Sequence, residues 1–314
     1  MEYKKLGLTD LVVSRIGFGC WAIGGHGYGK VDDRQSINAI RAALDLGINF
    51  FDTADVYGFG HSEEILSKGL GFSRNDVVVA TKFGVAWDSN GNTYHDCSPK
   101  RAVEALEGSL RRLRLDCIPL YQIHWHDNVT PIYETLEALR KCQESGKIRY
   151  ISCSNFSIDL VREAIKVHRI ESLQCLYNII QRDTERDMAE CHDQFSLGII
   201  VYGLLARGLL SGKYSLGSQF GENDTRSKCE LFKGENLKKN LHFVETLKRI
   251  GLLYGKTSAQ VAIRFVLENP VVTCAITGNK TREQVEENVS ALNWKLKQED
   301  LQALQPSDEC YNLK

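Results

Sequence analysis

Short β-branched runs alternate with amphipathic stretches along almost the whole chain, and that alternation limits the fold more than any other feature. The runs are SRIGFGC near residue 16, INFFDTA at 48, VVVATKF at 77, IPLYQIH at 118, IRYISCS at 148, LQCLYN at 173, GIIVYGL at 198 and TCAITG at 273. Stretches between them, such as 33–46, 98–113 and 130–145, space their apolar residues about 3.6 apart and begin at Asp, Ser or Thr, as helices do. Strict strand and helix alternation predicts a parallel sheet, and eight such units predict its closure into a (β/α)8 barrel of the TIM type. With 314 residues and 43% hydrophobic content the chain can bury one large core, so a single domain over 1–314 is expected. The opening YKKLGLTDLVVSRI reads as a β-hairpin ahead of the first barrel strand, at the barrel floor. Two extra helices, 240–254 and 298–304, fall outside the eight-unit count. After Gly203 runs a long polar, Gly-rich stretch up to about residue 240, of the kind that is usually functional or mobile.

A formal net charge of −1 leaves no global basic field for nucleic acid or an anionic membrane, so the expected partner is a small molecule. Ten cysteines (Cys20, Cys97, Cys117, Cys142, Cys153, Cys175, Cys191, Cys229, Cys274 and Cys310) are scattered without a C-x-x-C pair and read as reduced core fillers. MEYKKLGLTD is not of signal-peptide type, and no apolar run approaches the roughly 18 residues of a membrane span. A cytoplasmic monomer or small homo-oligomer is expected.

Four polar residues fall at or just past predicted strand ends, where a barrel gathers its chemistry: Asp52 and Tyr57 in INFFDTADVYG, Lys82 in VVVATKFG and His124 in PLYQIHWHD. A free tyrosine titrates near about 10, so as a proton donor at neutral pH it needs a cation to stabilise its phenolate, and Lys82 can be that cation. Asp52 can hold the lysine charged. His124 can orient a substrate oxygen toward Tyr57. The set suits polarising a carbonyl and protonating the alkoxide that develops, with hydride supplied from elsewhere.

In order and spacing, FFDTADVYG, HSEEILSKGL, ATKFG and QIHWHD resemble the motifs of the aldo-keto reductase superfamily, its bacterial-type branch most nearly, over essentially the whole chain. The resemblance implies NADPH-dependent reduction of an aldehyde or ketone, with Asp52, Tyr57, Lys82 and His124 catalytic. It further implies that Ser154, Asn155 and Gln174 hold the nicotinamide carboxamide and that Tyr202 stacks on its ring, with Trp21 and Asp52 also near the cofactor. Gly203, Leu205, Arg207, Gly212 and Lys213 would follow the pyrophosphate. Gly278, Asn279, Lys280, Gln284, Glu287 and Asn288 would meet the adenosine end, where Lys280 and a helix N-terminus can face a 2′-phosphate. The chain departs from the pattern at Gly203 and Leu204, where relatives carry a serine and a proline, at Thr277, which stands for a proline, and at Lys280, which replaces an arginine fork by a point charge.

Each residue also has a plainer explanation. Asp52 could cap a loop, Tyr57 could be a rim aromatic and Lys82 a solvated charge. His124 and His126 alternate on a strand and so face one way, as metal ligands would, but no further histidine cluster supports zinc and no metal is expected. GFGCWA (17–22) fits a dinucleotide-binding pattern only formally, and reads as a tight first barrel turn presenting Trp21. Trp21, Tyr57, Trp87, His124 and Trp125 are the expected substrate contacts, with Phe59, Phe83 and His126 as further aromatic lining; for any one of these aromatics, core packing is the commoner role. The alternative function is a cofactor-binding regulatory barrel like the channel-associated members of the superfamily, which the intact tetrad and the absence of a long N-terminal extension argue against.

Overall fold

The structure is a computed structural model that describes residues 1–25, 31–222 and 224–305; Cys310 lies outside them. Eight strands form the expected closed parallel barrel: β3 (Ile16–Gly19), β4 (Phe50–Asp52), β5 (Val78–Phe83), β8 (Ile118–Ile123), β9 (Ile148–Ser154), β10 (Ser172–Leu176), β11 (Gly198–Tyr202) and β12 (Val272–Gly278). They follow chain order around the ring, and β12 returns to pair with β3, Ile276 opposite Gly17 and Gly278 opposite Gly19. Gly17 and Gly19 therefore belong to this seam and not to a turn. A Cβ on Gly17 would lie 2.9 Å from Phe50 Cδ1, and one on Gly19 2.7 Å from Ile276 Cγ2, so only glycine lets the two strands and the Phe50 ring approach. The turn itself begins afterwards, as a short 3₁₀ segment over Trp21–Ile23.

The N-terminal hairpin is present as β1 (Tyr3–Lys5) and β2 (Val12–Ser14). Leu6, Leu11 and Val13 from it pack with Phe50, Val78, Ala80, Leu120, Ile200, Cys274 and Ile276 into a cluster separate from the main core, which stoppers the barrel floor. Burying each of these hairpin side chains contributes roughly 1.5–3 kcal/mol.

Around the ring lie α1 (Asp33–Asp45), α2 (His61–Leu70), α3 (Pro99–Leu113), α4 (Ile132–Glu144), α5 (Ile158–Val167), α6 (Glu185–Phe195), α7 (Gly234–Tyr254), α8 (Ser258–Glu268), α9 (Arg282–Val289) and α10 (Gln298–Ala303). Asp32 caps α1 and Ser98 caps α3, with Pro99 at the first helical position. Two boundaries differ from expectation for local reasons. Thr130 does not start α4, because its N–H and hydroxyl are drawn to the Asp127 carboxylate (2.8 and 2.7 Å), and the helix begins after Pro131. α7 begins at Gly234 and not at 240: Leu237, Asn240, Val244, Leu247 and Ile250 are its buried stripe, which extends a turn further back than the polar GENLKKN suggests. A second hairpin, β6 (Val85–Trp87) with β7 (Thr93–His95), stands at the barrel mouth and was not expected. The long stretch after Gly203 carries a small core of its own, with Tyr214, Phe220 and Phe232 edge to face at 5.0–5.4 Å and the Arg226 guanidinium 4.9 Å over the Phe220 ring. Among the described residues no helix is long and apolar enough to cross a membrane.

Candidate active site at the barrel mouth

Asp52 ends β4, Lys82 lies near the end of β5, His124 follows β8, and Tyr57 sits on the turn between β4 and α2. The structure brings all four together. Lys82, fully buried, donates to Asp52 Oδ1 (2.6 Å) and to the Thr53 carbonyl (2.8 Å), and its Nζ lies 3.5 Å from the Tyr57 hydroxyl. The His124 ring meets the Tyr57 ring edge-on at 5.7 Å. These are the contacts of a lysine held by a carboxylate and reaching a phenol, with an imidazole beside it.

Asp52 Oδ2 has two further donors, the side-chain amides of Gln174 (2.7 Å) and Gln122 (3.2 Å). Gln122 was not anticipated. As a polar residue inside PLYQIH it breaks the apolar pattern, and only its register opposite Lys82 shows that it points to the same lumen.

Burial pushes the His124 imidazole well below its ordinary titration range, helped by the positive charge of Lys82 and by His95, so the ring is neutral at physiological pH. Below the unfolded value of about 6.5 the unfolded chain takes up a proton that the folded one refuses, and this stability contribution is lost as pH falls through that region. The stability gap between the parent and His124→Gln should therefore narrow from pH 8 to pH 5 in denaturation experiments; a gap independent of pH would contradict it.

The expected mouth aromatics are partly assembled. Trp21 stacks on Tyr57 at 6.2 Å, Trp87 lies 5.5 Å from Phe59, and Trp125 stacks parallel to His95 of the β6–β7 hairpin at 6.1 Å. Phe83 does not line the mouth: it is fully buried and stacked on Tyr121. Nor do His124 and His126 share a strand face, since β8 stops at Ile123 and His126 is tied into the following loop through Nε2 to the Thr130 carbonyl (2.9 Å). Among the described residues no cluster of three or more His, Cys, Asp or Glu could hold a metal. Behind the Tyr57 turn, Asp55 is buried against the Arg101 guanidinium, which itself lies 5.1 Å over the Trp87 ring; burial raises the Asp55 carboxyl to about 7.

The residues expected near a cofactor line one arc of the rim. Asn155, left-handed at φ 58°, donates to the His124 carbonyl (3.1 Å) and Ser154 Oγ (3.0 Å) and accepts from the Tyr202 hydroxyl (2.7 Å). Past β11 the backbone bends through Gly203 (φ 75°) and three successive left-handed residues, Ala206, Arg207 and Gly208, before Gly212. The Arg207 guanidinium lies 5.8 Å over the Trp21 ring, and Lys213 Nζ 5.1 Å over Tyr214. Leu205 opens the bend. At the end of β12, past Gly278, Asn279 is fully buried and bonded to Asn288 (2.7 Å), Gln284 Oε1 accepts from the Lys280 N–H (2.8 Å), and Glu287 accepts from Thr257 (3.0 Å). Lys280 is half-buried, and burial with Arg226 and Lys213 nearby lowers its ammonium below the usual lysine range.

A buried aspartate–lysine pair joined to a tyrosine at the rim of a parallel barrel can polarise and protonate a carbonyl oxygen, and the comparisons place the chain among oxidoreductases. The family model described as aldo/keto reductase family matches residues 15–309. The aldo-keto reductase YhdN of Bacillus subtilis is 38% identical over 303 residues, covering 96% of this chain and 91% of that protein. An NADH-specific methylglyoxal reductase of Escherichia coli is 33% identical over 96% of both chains. The glycerol dehydrogenase AKR11B4 of Gluconobacter oxydans superposes with a TM-score of 0.89 at 36% identity, over 96% of this chain and 93% of its own. The chain belongs to the aldo/keto reductase family and is an NAD(P)-dependent oxidoreductase.

Proposed function

We propose that the protein reduces an aldehyde or ketone to an alcohol with NADPH, Tyr57 giving the proton. The observation that carries this is the chain of contacts Asp52–Lys82–Tyr57 opening onto the barrel mouth. The rim residues fit a dinucleotide. Polar side chains of Ser154, Asn155 and Gln174 gather at the ends of β9 and β10, and the left-handed bend at 206–208 gives a backbone that can come close to a pyrophosphate. Reduced nicotinamide bound there supplies the hydride. The chain's own residues handle the oxygen. Lys82 stabilises negative charge on the Tyr57 oxygen as its proton leaves, and Asp52 keeps Lys82 charged in a buried place. His124, neutral, has its Nδ1 buried without a partner among the described residues. An orphan acceptor is more readily tolerated than an orphan N–H, which favours the tautomer with hydrogen on Nε2, free to donate to the substrate oxygen. Trp21, Trp87 and Trp125 would frame the substrate.

The test is loss of NADPH absorbance when purified protein meets a small reactive aldehyde; no oxidation across a panel of aldehydes and ketones would refute the reading. The preference for NADPH rests on Lys280 and its cationic neighbours. A charge-assisted contact to the 2′-phosphate contributes about 1.5–3 kcal/mol, roughly tenfold to a hundredfold in affinity. Lys280→Ala should narrow the NADPH/NADH ratio of dissociation constants by that factor with little change in turnover. Equal affinities in the parent protein would remove the basis for the preference.

A further inference from the structure

We propose that Gln122 is a positioning residue which, together with Asp52, fixes which end of the Gln174 amide faces a bound ligand, and so sets how tightly a carboxamide is held. The inference rests on the cofactor reading above. Gln122 lies fully buried on β8, Asp52 on β4 and Gln174 on β10, across the barrel from Asp52. A side-chain amide in such a place needs a reason, since a buried polar group without partners costs about 1–3 kcal/mol.

The reason lies in which atoms meet. With Lys82 on Oδ1, the Asp52 carboxylate offers only acceptor lone pairs at Oδ2. Gln174 must therefore turn its NH₂ inward, and Nε2 sits 2.7 Å from Oδ2. The second acceptor facing that NH₂ is Gln122 Oε1, 3.5 Å from Gln174 Nε2, while Gln122 gives its own Nε2 to Asp52 at 3.2 Å. Turning the Gln174 amide over would set its oxygen against both the carboxylate and the Gln122 oxygen. Two acceptors on one side thus leave Gln174 Oε1, for which the described residues supply no donor, as the end that reads a ligand. An acceptor there suits the NH₂ of a carboxamide and nothing that lacks a donor. Asp52 serves both ends of the site: one oxygen holds Lys82 toward Tyr57, and the other holds Gln174.

The test uses NADPH and its 3-acetylpyridine analogue, in which a methyl group replaces the carboxamide NH₂, with dissociation constants read from protein fluorescence. Gln122→Met conserves volume and removes the acceptor. It should weaken NADPH binding about tenfold and leave binding of the analogue unchanged, and in a Gln174→Met background it should cost nothing further. Gln122→Asn, which keeps an amide but draws it back by one methylene, should show the same pattern in smaller degree and serves if the Met variant does not fold. Parent-like NADPH affinity in the variants, or an equal loss for both dinucleotides, would overturn the proposal. Failure of the parent itself to bind NADPH would instead strike at the cofactor reading, and the two failures are distinguishable.

Discussion

Tyr57→Phe is expected to lower carbonyl reduction by ~10²-fold or more while NADPH binding stays near the parent value. Only the hydroxyl is removed. The ring keeps its stacking on Trp21 and its edge contact with His124, so the mouth retains its shape. Steady-state rates with a small aldehyde, beside cofactor titrations, check both halves. A variant that reduced aldehydes at near the parent rate would show that Tyr57 is not the acid.

Lys82→Met should lower stability as well as rate. It leaves Asp52, 4% exposed, with two amide donors and no counter-charge. Breaking one side of a buried pair typically costs about 3–5 kcal/mol, and the amides that remain favour the lower part of that range. Activity should also fall below that of His124→Gln, because the phenolate loses its cation in every turnover whereas glutamine can still donate to a substrate oxygen. Denaturation midpoints and kcat for several small aldehydes decide it. Should the histidine variant be the more damaged across the series, His124 would be the principal acid and Tyr57 its support.

Much of this is legible in the sequence itself. The eight strands announce themselves because a parallel sheet buried on both faces reads as near-continuous β-branched runs. Asp52, Lys82 and His124 stand out as polar residues where such runs end. Less visible was anything decided by contact across space. Gln122 looks like a flaw in its strand until its register beside Lys82 is known. The β6–β7 hairpin hides because β7 is exposed throughout and β6 only partly buried, so no alternation marks them; its Asn90-Gly91 pair, with Gly91 at φ 80°, was the available signal. Thr130 has the chemistry of a cap, but Asp127 competes for it successfully. Gly17 and Gly19 matched a turn-like motif, and their reason is the Phe50 ring together with a neighbouring strand, β12, that comes from the other end of the chain.

That neighbour has a consequence for how the molecule is made. The ring closes where β12 meets β3, and the Thr277 hydroxyl donating to the Gly17 carbonyl (3.2 Å) joins positions 260 apart in sequence. Arg15 reinforces the same junction through the carbonyls of Leu267 and Val272. During synthesis the early strands can pair in order as they emerge, but the outer edge of β3 has no partner until β12, the last strand, leaves the ribosome. Any sheet formed before that point would keep two unsatisfied borders, open to pairing with other chains. Contacts this distant in sequence also make closure slow. Refolding should be limited by formation of the β3–β12 junction, and substitutions there should lower the yield of native protein more than they lower the stability of molecules that have already closed.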